Sequence, residues 1–120
     1  MNKFKDTFKL LTKDEADKIC GTSLVGFFNV SYTCLVDVLG EPNMENDGYK
    51  TDAEWAVELK TGRILTIYNY KNGKNYCGEE GLEVEDITDW HIGSNEKLTV
   101  IENLFFDLLK VQPIKKDNEF

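Results

Sequence analysis

Residues 52–73 read DAEWAVELKTGRILTIYNYKNG, and the period of this stretch decides the fold. Ala53, Trp55, Val57 and Leu59 alternate with Asp52, Glu54 and Glu58, the two-residue repeat of a half-buried strand. Thr61-Gly62 turns the chain, and 63–71 is rich in the β-branched and aromatic residues that favour a pleated surface. Asn72-Gly73 is the dipeptide a type I′ hairpin prefers, because both central residues of that turn need φ > 0. Two consecutive hairpins are therefore expected. Towards the N-terminus, 24–30 (LVGFFNV) is too short for a free-standing helix and reads as a buried strand. Ser31 then caps a helix carrying Tyr32, Leu35, Val36 and Leu39 at i, i+3, i+4 and i+7, which Gly40 and Pro42 end.

Further out, Phe4, Phe8 and Leu11 fall at helical spacing, and Thr12 with Glu15 makes a capping-box pattern ahead of a short helix over 13–19, stopped by Gly21. Residues 43–50 are polar and read as a loop. Beyond the hairpins, 88–92 forms a last strand, and Ser94 or Asn95 opens a final helix whose stripe is Leu98, Ile101, Phe105 and Leu108, widened by Leu104 and Leu109. The sum is an α+β fold, an antiparallel sheet of about four strands with helices packed on one face. The other face, with Arg63, Asn69, Lys71, Asn75 and the strand acids, reads as partly solvated. Residues 1–120 form a single domain, with 1–21 as an N-terminal helical segment and 113–120 as a frayed tail.

Fourteen basic against 22 acidic side chains leave a net charge of -8, which excludes a basic, nucleic-acid-coating surface. A hydrophobic content of 41% is enough for a core. No apolar run approaches the roughly 18 residues of a membrane span, and the charged N-terminus is unlike an export signal, so a cytoplasmic protein with no membrane partner is expected. Cys20, Cys34 and Cys77 are an odd, widely spaced set and read as reduced thiols, with Cys77 alone exposed enough to react.

The most unusual local composition is IYNYKNGKNYCGEEG at 67–81. Tyr68, Tyr70 and Tyr76 alternate there with Asn69, Lys71, Lys74 and Asn75, presenting rigid amphipathic rings and amide donors, the chemistry of recognition surfaces. The same pattern also suits an aromatic ladder that only holds a hairpin. An acidic arc follows, with Glu79, Glu80, Glu83, Glu85, Asp86 and Asp89 and no Lys or Arg between Lys74 and Lys97. Such a run suits a partner with a basic surface, or simply confers solubility. An EF-hand ligand order is absent, and Cys20, Cys34, Cys77 and His91 lack zinc spacing, so no metal and no cofactor is expected. His91, the only histidine, could pair with Cys77 as base and nucleophile, oriented by Asp89, but no catalytic motif supports that chemistry. Trp55 and Trp90 read as core anchors if inward and as binding hot spots if outward.

The segments LVDVLGEP (35–42), KTDAEWAVEL (50–59), IYNYKNGKNYCGEEG (67–81) and VEDITDWHIG (84–93) resemble small acidic proteins of bacteriophages and other viruses, of the anti-defence, anti-CRISPR-like kind. Separately, the order of helix, LGEP, polar loop, Trp-bearing strand and tight turn resembles the β-lactamase-inhibitor-like fold and small outer-membrane lipoprotein domains, though without their lipidation cysteine. The first resemblance implies a non-enzymatic inhibitor that occupies the basic or catalytic surface of a larger partner, such as a host defence nuclease. Tyr68, Tyr70 and Tyr76 would be its anchors, and Glu79, Glu80, Glu83, Glu85 and Asp86 its charged rim. The alternative is a small-ligand, nucleotide-type sponge, with Tyr rings stacking a base and Arg63, Lys71 and Lys74 neutralising phosphate. A homo-oligomer stays open under both readings, and a Cys77–His91 enzyme ranks last.

Overall fold

A computed structural model describes residues 8–45, 48, 50–96 and 103–115. The chain runs through β1 (Phe8–Leu10), a 3₁₀ helix (Lys13–Ile19), β2 (Ser23–Asn29), α1 (Tyr32–Leu39), β3 (Glu54–Leu59) and β4 (Ile64–Tyr68). There follow α2 (Lys74–Cys77), two 3₁₀ turns (Gly78–Glu80 and Val84–Asp86), β5 (Asp89–Ser94), α3 (Asn103–Leu108) and β6 (Ile114–Lys115). The strands pair in the order β1-β3-β4-β5-β2-β6, all antiparallel. The fold is α+β, and its sheet has five main strands, not four, with the two-residue β6 added at one edge.

Local chemistry sets the elements. The Ser31 hydroxyl accepts from the Cys34 N–H at 3.1 Å, the cap expected for α1, and Gly40 ends that helix in the left-handed region at φ +83°. At the β3–β4 hairpin Gly62 takes φ +90°, and the Leu59 N–H donates to the Arg63 carbonyl at 2.8 Å. Glu15 accepts from the Thr12 N–H at 3.0 Å and from its hydroxyl at 3.2 Å, so the sequence motif does open a helix, of the tighter 3₁₀ kind.

The strand alternation produces one dry face. Trp55, Val57, Leu65, Ile67, Trp90 and Ile92 point into the main core, where Leu35 and Leu39 of α1 and Phe105 and Phe106 of α3 cover them. Trp55 and Trp90 meet edge to face at 5.5 Å, both fully buried. Each indole N–H is satisfied, Trp55 donating to the Gly40 carbonyl at 2.8 Å and Trp90 to the Val30 carbonyl at 2.9 Å. Both tryptophans are core anchors.

Several expectations are corrected. Phe8 is on a strand, not a helix: it pairs with Leu59 and its ring meets Phe105 at 5.3 Å, a long-range partnership that helical spacing could not disclose. Phe4 lies outside the described residues, as do Leu98 and Ile101 of the final helix. Within α3, Phe106 joins Phe105 in the core. Of the tail expected to fray over 113–120, Ile114–Lys115 pair with the outer edge of β2, and 116–120 lie outside the described residues. Cys20 is exposed as well as Cys77, while Cys34 is partly buried with its thiol near the Leu109 carbonyl at 3.8 Å; burial raises its pKa. Among the described residues, no helix is long and apolar enough to cross a membrane.

Among the described residues, the opposite face carries a helix at one end only. Ala56 and Ile64 pack there with Leu11 and Met44, under Ala16 and Ile19 of the 3₁₀ helix. Lys18 joins Glu15 at 3.2 Å to Glu58 at 3.1 Å, and Lys9 adds a second bond to Glu15 at 3.2 Å. The Thr12 N–H first, and then Lys18 and Lys9, hold the Glu15 carboxyl down at about 2.

Candidate functional site

Past Ile64, no helix among the described residues packs over the same face. Register carries one row of side chains across the sheet: Glu54 opposite Tyr68, Tyr68 opposite His91, His91 opposite Phe27, and Phe27 opposite Ile114. These residues are the odd steps between the core residues of the same strands. The His91 ring lies 5.0 Å from Phe27, 5.5 Å from Tyr68 and 5.3 Å from Tyr70. The Lys71 ammonium sits 5.2 Å from the Tyr70 ring and 5.4 Å from the Tyr76 ring, and Lys50 approaches Tyr70 at 5.9 Å. The three tyrosines are thus joined into one cluster through His91 and Lys71. Tyr70 and Tyr76 are about two-fifths exposed.

A shallow recess of about 240 Å³ is sunk into this face between Tyr68 and the start of β2, lined by Ser23, Glu54, Thr66, Tyr68, Tyr70 and Gly93 among others. Gly93 forms its floor, for a side chain there would collide with the Thr66 hydroxyl and would meet the Tyr68 ring at 3.5 Å and the Ser23 carbonyl at 3.7 Å. Burial raises the Tyr68 phenol pKa, and the neighbouring Glu54 charge raises it further. Burial lowers the pKa of His91, opposed by Asp89.

The asparagines have a different part from the one expected of them. Asn69 is fully buried; its side-chain oxygen accepts from the backbone N–H groups of Asp52 at 2.6 Å and Ala53 at 3.1 Å, and its amide donates to Asp52 at 2.9 Å and Asn72 at 3.0 Å. The Asn75 amide donates to the Thr51 carbonyl at 2.8 Å, and its N–H to Asp52 at 3.1 Å. These bonds fasten 69–75 to 50–53, so Asn69 is withdrawn from any contact surface and the Asn75 amide is engaged internally.

The same network cancels the second hairpin. Gly73 takes an extended φ of -104°, not the left-handed one of a type I′ turn, and leads directly into α2. Its missing side chain leaves room for the Asp52 carboxylate, which a Cβ would overlap. Lys71, at φ +62°, makes the left-handed turn instead, its N–H donating to the Lys50 carbonyl at 2.8 Å.

The acids divide. Glu79 and Glu80 are exposed on the turn after α2, and Glu83 pairs with Lys74 at 3.4 Å. Glu85 and Asp86 lie on the 3₁₀ turn whose Val84, with Ile87 after it, packs into the main core beside α1. Burial first, then Glu41 and Glu85, raises the pKa of Tyr32, whose ring rests on Trp55 and Trp90. Glu85 therefore belongs to the helix-covered side, away from the tyrosine row.

Nor do the three cations assigned to phosphate gather. Arg63 bonds the Glu96 carbonyl at 3.2 Å, Lys74 is with Glu83, and Lys71 is between tyrosines. The Cys77 thiol donates to the Lys71 carbonyl at 3.3 Å, whereas His91 is enclosed by aromatic rings. Among the described residues no group of three or more His, Cys, Asp or Glu could hold a metal ion.

Sequence reading missed Phe27, Glu54, Thr66 and Gly93 as site residues, and weighed His91 for chemistry as a base or a zinc ligand, not as part of an aromatic cluster. The signal for two of them is in DWHIGS: with Trp90 and Ile92 inward, His91 and Gly93 must share the other face, and a glycine inside a strand marks a close approach. The chain matches no protein-family model, no curated protein and no solved structure.

Proposed function

We propose that this is a non-enzymatic binding protein that occupies a basic or catalytic surface of a larger protein and thereby inhibits it. A host defence nuclease is the partner class that the resemblance to phage anti-defence proteins suggests. The observation that carries the reading is the cluster that Tyr68, Tyr70 and Tyr76 form with His91 and Lys71, on the half of one sheet face over which no described helix packs. Large, stiff rings with polar tips lose little conformational freedom on contact. Glu79, Glu80 and Glu83 at the neighbouring turns, with the net charge of -8, favour a cationic partner and fast, salt-sensitive encounter.

A pull-down with the immobilised protein, followed by quantitative binding to the purified partner, tests this. A stoichiometric complex with a basic-surfaced protein is expected, weakening as salt rises. The Tyr70→Ala, Tyr76→Ala double variant should cost about 2 to 4 kcal/mol of binding free energy. Unchanged affinity in that variant and in Glu79→Lys, Glu80→Lys, with native melting curves, would sink the reading. The nucleotide sponge is supported less well, because among the described residues no lysine or arginine lines the recess.

A further inference from the structure

The recess beside Tyr68 holds a buried polar group that the fold leaves without a partner. Thr66 is 3% exposed, and its hydroxyl leans over Gly93 of the paired strand, into the space that a side chain there would fill. Among the described residues no hydrogen bond engages that hydroxyl, nor those of Ser23 and Tyr68 in the same lining. Thr22, also in the lining, differs: its hydroxyl is engaged, donating to the Ile19 carbonyl at 2.7 Å. A buried hydroxyl without a hydrogen bond is costly, so the partner of Thr66 is to be sought in what enters the recess.

The groups on offer define the ligand. Among the described residues no basic side chain lines the recess, which leaves an anion without a counter-charge. A cation is not called for either, since the carboxylate in the lining, that of Glu54, already interacts within the chain. A nucleobase edge needs a fixed order of donors and acceptors, whereas hydroxyls rotate to donate or accept as required. What matches them is a neutral ring carrying several hydroxyls of its own and one apolar C–H face, which the Tyr68 ring can meet. Gly93 permits the close approach, because a Cβ there would collide with the Thr66 hydroxyl and crowd the Tyr68 ring at 3.5 Å. The volume of about 240 Å³ is below the roughly 300 Å³ at which pockets for drug-sized ligands begin, and admits one ring at a time. The recess is shallow and opens onto the sheet face, so such a ring can stay attached to a longer chain.

We infer that this recess binds the terminal sugar of a glycan, a neutral pyranose seated over Gly93 with one hydroxyl bonded to Thr66 and its C–H face against the Tyr68 ring. The inference goes beyond the partner-binding reading above and does not rest on it.

The test is an NMR titration of the isotope-labelled full chain with the methyl glycosides of D-glucose, D-galactose, D-mannose and N-acetyl-D-glucosamine, against cyclohexanol and methyl glucuronide. Expected are saturable shifts at Thr66, Tyr68 and Gly93 with at least one neutral glycoside, and none with cyclohexanol or the anionic glucuronide. Thr66→Val keeps the shape and removes the hydroxyl; it should weaken that binding roughly five- to tenfold, the scale of one lost hydrogen bond, while Thr66→Ser should retain it. If Thr66→Val does not fold, Tyr68→Leu with a native spectrum decides, by losing saturable binding. No saturable shift with any neutral glycoside, equal shifts from cyclohexanol, or wild-type binding by the deciding variant would overturn the inference. A free reducing sugar that binds while its methyl glycoside does not would overturn a glycan as the source. Partner binding lost in the Tyr70, Tyr76 double variant without any glycoside shift in the wild type would remove this inference and leave the reading above standing.

Discussion

One step along the same three strands separates two opposite environments. The row Trp55–Ile67–Ile92 lies under α1 and α3, fully buried and apolar; the adjacent row Glu54–Tyr68–His91, continued by Phe27 on β2, is half-buried, polar-tipped on those three strands, and among the described residues has only the short 3₁₀ helix near one end of its face. The two rows share backbone and hydrogen-bond register, so the contrast comes from side-chain alternation and from which face the helices choose. The dry row uses tryptophans as filler with their N–H groups satisfied locally, whereas the wet row keeps ring edges and hydroxyls available. Stability and recognition are thereby assigned to opposite sides of one sheet.

Substitution is the direct way to break that contrast. Trp90→Ala should cost about 3 to 5 kcal/mol in urea denaturation, since it removes a fully buried ring and leaves a cavity against Trp55 and Tyr32. Next in size, Asn69→Ala strips the Asp52 and Ala53 N–H groups of their acceptor and should cost about 2 to 3 kcal/mol, with exchange protection lost at those two amides. Ser31→Ala should remove about 1 kcal/mol by uncapping α1, with reduced helicity by circular dichroism. Smallest, Tyr70→Ala should change stability by only about 0.5 kcal/mol. If it cost as much as Trp90→Ala, the uncovered face would be a second core and the division of labour would be gone.

Acidification sharpens the same contrast. His91 is held below its ordinary pKa by burial, so the fold favours its neutral form. That contribution is complete above the unfolded-state value of about 6.5 and is lost as pH falls through the lower folded-state value. His91→Gln should flatten this part of the stability profile in denaturant titrations at a series of pH values. The carboxylate of Glu15 works lower on the scale: with its pKa at about 2, its stabilising effect is complete above the ordinary carboxylate range and fades as pH falls towards that value. Glu15→Gln should flatten the profile in that acid window instead.

How much could be read beforehand follows the range of the forces involved. The β3–β4 hairpin, the Ser31 cap, the Thr12–Glu15 motif and the inward tryptophans depend on neighbours a few residues away, and their patterns are plain in the chain. Asn72-Gly73 misled because Asn69 and Asp52, 17 positions apart, take hold of the loop through hydrogen bonds that no local pattern announces. Phe8 misled likewise, its partner Leu59 being far along the chain. At the candidate site the tyrosines were legible from composition, while the recess was not, since it needs Ser23 on β2, Thr66 on β4 and Gly93 on β5 brought together. The acids read as one arc separate because Val84 and Ile87 draw their segment towards α1.

The side chain of Asn43 has a consequence of another kind. It pairs with both backbone groups of Ala56, accepting from the N–H at 2.9 Å and donating to the carbonyl at 2.8 Å, while the Met44 N–H donates to the Glu54 carbonyl at 3.1 Å. Where β1 ends, the margin of β3 is thus already stitched by the chain's own loop. No strand from a neighbouring molecule can zip on along that stretch, which guards the crowded protein against ribbon-like stacking there.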